Sequence, residues 1–167
     1  TQTGVVGVLA TPATFQGALY ASVVERFANG VRLIQHTCPG LVAQIEAGQL
    51  DTTETRAILE DALLPMLEKG IDTVVLGCTH YPFVIPLIQE IVGPHVRVID
   101  PAPAVARQVG RLLDADRLRH PASKSGALRF YTSGPMEGLA DMLPRLLGKS
   151  CQVQTVVWQS TKGLRDL

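Results

Sequence analysis

The chain has 167 residues, 15 Lys+Arg against 15 Asp+Glu, and 46% apolar content, the profile of about one ordinary globular domain and not of a disordered or fibrous chain. Even charge with no basic run argues against nucleic-acid binding through phosphates, and no apolar stretch approaches the ~18 residues that cross a bilayer, nor does a signal peptide precede the first apolar run. Three widely spaced cysteines, Cys38, Cys78 and Cys151, with no CxxC argue against a disulfide framework or a zinc site, so no metal is expected and a reducing cytoplasm fits.

In chain order, GVVGVLA (Gly4–Ala10) is short, β-branched and apolar, as suits a strand buried on both faces. Thr11 followed by Pro12 reads as an N-cap with proline in the first turn of a helix, predicted to run to about Ala28 and stop at Asn29-Gly30. VRLIQHT (Val31–Thr37) is the second predicted strand, and PGLVAQIEAG (Pro39–Gly48) a short helix with a glycine stop. The next helix opens with Thr53 as cap and carries Ala57, Leu59, Leu63, Leu64 and Leu67 at helical spacing, with a kink or fraying expected at Pro65. DTVVLGC is the third strand, FVIPLIQEIVG a helix and VRVID (Val96–Asp100) the fourth strand. This alternation of strands and helices predicts an α/β fold with a parallel four-stranded sheet and flanking helices over residues 1–100.

Beyond Asp100 the texture changes. A helix is expected over Ala102–Leu113, then a polar connector, DADRLRHPASKSGA. After it come a strand and turn in LRFYTSG, a helix near Glu137–Leu147, a last strand in VQTVVWQ and a frayed tail, STKGLRDL. Two strands and two helices make a poor domain alone. Residues 101–167 therefore either extend the first sheet or form part of a second α/β domain.

In a parallel sheet, ligands bind beyond the carboxyl ends of the strands, and three groups of residues fall there. Thr11 and Thr14 follow the first strand, where a helix N-terminus favours an anion such as a carboxylate; a plain capping role for Thr11 is the alternative. Cys78, Thr79 and His80 follow the third strand, where a thiol is either activated by its neighbours or packed as a small hydrophobe. Glu46 closes the short helix and, by itself, reads as a solvated carboxylate. Cys38, followed at once by proline, suits core packing, and Cys151, His36 and His120 carry no pattern. A strand-to-turn phosphate cradle in YTSGP (Tyr131–Pro135) would rest on a lone Ser-Gly and is weak.

Several stretches together resemble the glutamate racemase family of cofactor-independent amino-acid racemases. LGCTHYP (Leu76–Pro82) is similar to the motif around the family's second catalytic cysteine, and GVLATPAT, TCPGLV followed by Glu46 and Gly48, and FYTSG occur in the matching order. The resemblance runs to about Trp158. It implies Cys78 as one of two proton-transferring cysteines, the one associated with the L-enantiomer, with His80 assisting it and Glu46 orienting His80. It further implies that Thr79, His80, Thr11 and Thr14 bind glutamate, that no cofactor or metal takes part, and that the product, D-glutamate, serves peptidoglycan.

The family's Asp-Ser-Gly-x-Gly-Gly loop and its first catalytic cysteine, in Cys-Asn-Thr, are not in these 167 residues; Cys38 precedes Pro-Gly and Cys151 precedes Gln-Val, so neither replaces it. By resemblance, residues 1–100 are the family's complete second domain, and 101–167 are the return of the chain into the other. Alone, the chain is expected not to racemise. A homo-oligomer or a complementing N-terminal segment is the expected partner; a non-catalytic binding module of the same fold, or a racemase for a related amino acid, are the other readings.

Overall fold

The computed structural model describes residues 1–120, 126–159 and 163–166. They form two compact units, Thr1–Arg119 and His120–Leu167. The first is built on strands β1 (Val5–Ala10), β2 (Arg32–His36), β3 (Thr73–Gly77) and β4 (Arg97–Ile99), all parallel, in the order β2-β1-β3-β4. This is the expected parallel four-stranded sheet with flanking helices. The central strands bear the buried residues, among them Leu9, Ala10, Val74 and Leu76, each wholly inaccessible, and the edge strands β2 and β4 are partly exposed.

Strand order has a direct consequence for function. From β1 the chain crosses outward to β2; from β3 it crosses the opposite way to β4. The loops leaving β1 and β3 therefore part at the carboxyl edge, the place where open parallel sheets form a crevice. Gly77 closes that edge. It sits opposite Ala10 in the β1–β3 register, and a Cβ on it would meet the Ala10 Cβ at 2.9 Å. Only glycine lets the strands stay this close where the two loops diverge.

Helix α4 (Thr53–Glu68) buries Leu59, Ala62, Leu63 and Met66. It runs through Pro65 to Glu68 without a break, so the fraying expected there is not seen. Pro65 lies in the last turn on an exposed side next to exposed Leu64, so the carbonyl it leaves without a partner is near water, while buried Leu63 and Met66 hold the turn. The cap is Thr52, one residue earlier than expected, its hydroxyl accepting from the Thr55 N–H at 3.2 Å. The single helix expected after β1 is broken in two, α1 (Pro12–Gln16) and α2 (Ala18–Phe27), because Gly17 is extended (φ −74°, ψ 135°) and serves both as the end of α1 and the cap of α2.

Helix α3 (Leu41–Glu46) begins after Gly40, whose φ of 84° turns the chain sharply out of Cys38-Pro39. It packs by Leu41 and Ile45 against a 3-10 turn, Tyr81–Val84, that leads into α5 (Ile85–Val92). Helix α6 (Ala102–Ala115) follows β4 with Asp100 capping its Ala102 N–H at 2.8 Å. It falls in the first compact unit and buries no residue: Val105, Val109 and Leu112 are 59%, 50% and 53% exposed, so its apolar face has no cover among the described residues of that unit.

The second unit holds β5 (Phe130–Thr132), α7 (Met136–Leu147), β6 (Val153–Gln159) and β7 (Gly163–Asp166) in a three-stranded sheet of order β5-β6-β7. β5 and β6 are parallel. The tail expected to fray instead supplies β7, antiparallel to β6, at 163–166; Ser160–Lys162 and Leu167 lie outside the described residues, as do 121–125 of the polar connector. Leu143 and Val156 are its buried apolar side chains among the described residues, and Trp158 is 72% exposed.

Candidate active site

At the divergence of the β1 and β3 loops, the structure brings together residues from three parts of the chain. Cys78 and His80 leave β3, and the Cys78 Sγ lies 4.0 Å from His80 Nδ1. On the other side of the ring, His80 Nε2 is 3.0 Å from Glu46 Oε1, although the two residues are 34 positions apart. Glu46 is therefore not the free surface carboxylate its local sequence describes. A carboxylate only accepts, so in the neutral ring Nε2 carries the proton and the Nδ1 lone pair is turned to the thiol. The three groups form a line along which a proton can be handed from sulfur to nitrogen with the ring held by the carboxylate.

Thr11 caps α1, as expected of a capping residue, and its hydroxyl is 3.0 Å from that of Thr14. Thr14 Oγ1 in turn donates to the Gly77 carbonyl at 3.4 Å, so the pair ties the β1 loop to the end of β3. Both threonines are half-buried, whereas Thr79 is exposed. Beside Cys78 a largely apolar groove of about 560 Å³ runs between Gly77, Cys78, Thr79 and Pro82 on one side and Pro101 and Val105 at the start of α6 on the other. The α6 wall escaped the sequence reading, although Asp100, which follows β4 at the same edge and caps α6, marks where it starts.

The remaining cysteines separate by burial. Cys38 is 6% exposed, and burial, reinforced by the negative charge of Asp61 and of ionised Cys78, pushes its thiol up to about 12. It stays a protonated core thiol. Cys151 lies in the second unit, near the start of β6. His36 bonds its own neighbour, Nδ1 to the Thr37 carbonyl at 2.5 Å, apart from the site. Among the described residues no group of three or more His, Cys, Asp or Glu side chains is placed to hold a metal ion, and no helix is long and apolar enough to cross a membrane.

A parallel α/β unit with a thiol, an imidazole and a carboxylate in line at its topological switch point is thus the class of protein defined by this fold and this edge. Residues 1–109 match the family model described as Asp/Glu/Hydantoin racemase, and the chain belongs to that family. Among its relatives, the glutamate racemase of Pseudomonas putida KT2440 is 48% identical over 155 residues, covering 93% of this chain and 58% of that protein. That of Roseiflexus sp. RS-1 is 46% identical over 147 residues, covering 87% and 54%. Among solved structures, glutamate racemase isoform RacE1 from Bacillus anthracis aligns with a TM-score of 0.82 at 29% identity over 94% of this chain and 59% of its own. The Francisella tularensis glutamate racemase, determined in complex with D-glutamate, aligns with a TM-score of 0.78 at 27% identity over 90% and 56%. The chain spans a little over half the length of these relatives.

Proposed function

We propose that this chain is the portion of a glutamate racemase that carries one of its two proton-transfer cysteines. The observation that carries the reading is the Cys78–His80–Glu46 line at the mouth between β1 and β3. In this reading the Cys78 thiolate takes the α-proton of L-glutamate, becoming a thiol, while the electron pair passes into the substrate carboxylate as an enolate. A second acid then delivers a proton to the other face of the α-carbon, and His80 receives the proton from Cys78 and returns it in the opposite direction. Thr11, Thr14 and Thr79, with His80, bind the carboxylate and ammonium groups, and their donors would lower the barrier by stabilising the enolate charge.

The second acid is assigned to a protein segment other than the described residues of the first unit, where Cys38 is the remaining thiol and is sealed in the core. It would come from a complementing N-terminal segment or from another subunit of a homo-oligomer. The uncovered apolar face of α6, adjoining the groove beside Cys78, supports a partner there. Residues 1–100 are read as one lobe of the racemase and 101–167 as the chain's return into the other. The three free thiols suit a reducing cytoplasm, and D-glutamate for peptidoglycan is the assigned product.

The test is conversion of L-glutamate to D-glutamate, followed by circular dichroism. It is run on this chain alone, on the chain mixed with the N-terminal portion of the P. putida relative, and on the same mixture with Cys78→Ala. Silence alone, turnover in the mixture and silence again with Cys78→Ala are expected. No turnover in the mixture, together with no glutamate-dependent change in the NMR spectrum of this chain, would replace the enzyme reading with a non-catalytic module of the fold. Turnover by the chain alone would mean that the second acid lies within it or is supplied by a second copy of it, and would rule out the need for an N-terminal segment.

A further inference from the structure

We propose that Thr55 is a positioning residue for Glu46: its buried hydroxyl ties down the turn that ends α3 and so fixes where the Glu46 carboxylate meets His80. The inference rests on the racemase reading for its catalytic meaning, but its test does not.

The His80–Glu46 pair does not hold itself in place. Their side chains are 32% and 65% exposed, and an exposed pair of this kind contributes little against the entropy of fixing two side chains. Glu46 is also the last residue of a six-residue helix, and so short a helix frays unless its end is held from outside. Two anchors hold it. Ile45, the residue before, is wholly buried and fixes one side of the last turn. On the other side the chain leaves α3 through Gly48, whose φ is 73°. In this tight turn the Gly48 N–H donates to the Ile45 carbonyl at 2.9 Å and the Gln49 N–H to the Gln44 carbonyl at 2.8 Å. The Gln49 carbonyl in turn accepts from the Thr55 hydroxyl at 2.6 Å, while Gln44 Oε1, at 3.5 Å from the same hydroxyl, is too far to compete. Gln49 is thus bonded through its N–H to the turn that bears Glu46 and through its carbonyl to α4.

Thr55 gives that tie a rigid root. It is wholly buried in the first turn of α4, its N–H donates to the Thr52 hydroxyl at 3.2 Å, and the two hydroxyls lie 3.0 Å apart. A hydroxyl has one proton to give, so with the Thr55 proton on Gln49 it is the Thr52 hydroxyl that donates to Thr55. Gln49 itself is exposed. Without the Thr55 hydroxyl its carbonyl would regain a partner only by turning out to water, and the end of α3 would move with it.

The experiment records the ¹⁵N shifts of the His80 ring in this chain, without substrate, at a pH where the imidazole is neutral; the shifts report which nitrogen bears the proton. The Nε2–H form, which donates to Glu46, is expected to dominate in the parent. Thr55→Val, which keeps the shape and removes the hydroxyl, should lower the Nε2–H to Nδ1–H ratio by about threefold or more, the size set by one modest hydrogen bond, toward that of Glu46→Gln. Thr55→Ser, which retains the donor, should behave as the parent. In a Glu46→Gln background, Thr55→Val should change nothing further. A stability loss in urea with an unchanged ratio makes Thr55 purely structural and overturns the proposal, as does an equal change with and without Glu46. If Thr55→Val fails to fold, Gly48→Ala decides, because a side chain at its positive φ disturbs the turn that presents Gln49. It should lower the ratio, whereas Gly70→Ala, with a φ of 78° just past the end of α4, should not; an unchanged ratio in Gly48→Ala overturns the proposal. Loss of the racemase reading would leave these shifts as they are, and loss of this proposal would leave Cys78 its proton-transfer role.

Discussion

Thr14 Oγ1 donates to the Gly77 carbonyl across the mouth between β1 and β3, 63 positions away in the chain. The contact links the loop that bears two candidate substrate-binding hydroxyls to the strand that ends in Cys78. Thr14→Val keeps the shape and deletes the hydroxyl, and is expected to cost about 1 kcal/mol of stability in urea unfolding. Thr14→Ser, which retains the donor, should cost less.

Gly77 admits no side chain without moving a strand. With the Ala10 Cβ 2.9 Å from the place a Cβ would occupy, Gly77→Ala is expected to destabilise the chain by about 1–3 kcal/mol in urea unfolding. It should also change the rate at which Cys78 is alkylated, because the corner carrying the thiol shifts with β3. The milder control is Gly30→Ala: nothing lies within 4 Å of its Cβ position, although its φ of 76° imposes a backbone strain of its own.

The cysteines should separate by reactivity. In native chain at about pH 8.5, iodoacetamide is expected to label the partly exposed Cys78 and Cys151, with Cys38 labelled only after urea is added; peptide mass mapping reads the order. The Cys38 thiol ionises near 9 when unfolded and at about 12 when folded, so its protonated form favours the fold fully below pH 9 and loses that contribution as pH climbs toward 12. Cys38→Ala should therefore flatten the alkaline arm of the stability profile.

At the opposite, amino edge of the sheet, Asp72 accepts from the Thr1 hydroxyl at 2.6 Å and from the Thr3 N–H at 2.9 Å, and it also bonds the Gln2 N–H and the Thr73 hydroxyl. These donors, the Thr1 hydroxyl foremost, hold its carboxyl well below the usual carboxylate range. A depressed carboxyl stabilises the fold above its unfolded value, near pH 4, and ceases to do so as pH falls through that value toward the folded one. The melting temperature of the parent should thus drop more between pH 6 and pH 3 than that of Asp72→Asn, measured by circular dichroism.

The sequence itself determined what depends on near neighbours. β-Branched apolar runs between glycine and proline marked all four strands of the first sheet, and strand–helix alternation made that sheet parallel, because backbone hydrogen bonding gives each element a characteristic period. The Cys78-Thr79-His80 corner was legible for the same reason, its members being adjacent in the chain. Local patterns already misled where two choices were nearly equal: Thr52 or Thr53 as cap, Gly17 as a helical residue or a break, and Gly163–Asp166 as tail or strand. Only the tertiary structure decided the order β2-β1-β3-β4, which sets where the loops part, and the fate of each thiol, Cys38 sealed and Cys78 at the mouth. It set Glu46, by local pattern an exposed helix end and the partner of His80 only by resemblance, 3.0 Å from the His80 ring 34 positions away. Such pairings follow from how buried faces such as Leu41, Ile45 and Tyr81 close on one another, and no local period encodes which faces will meet.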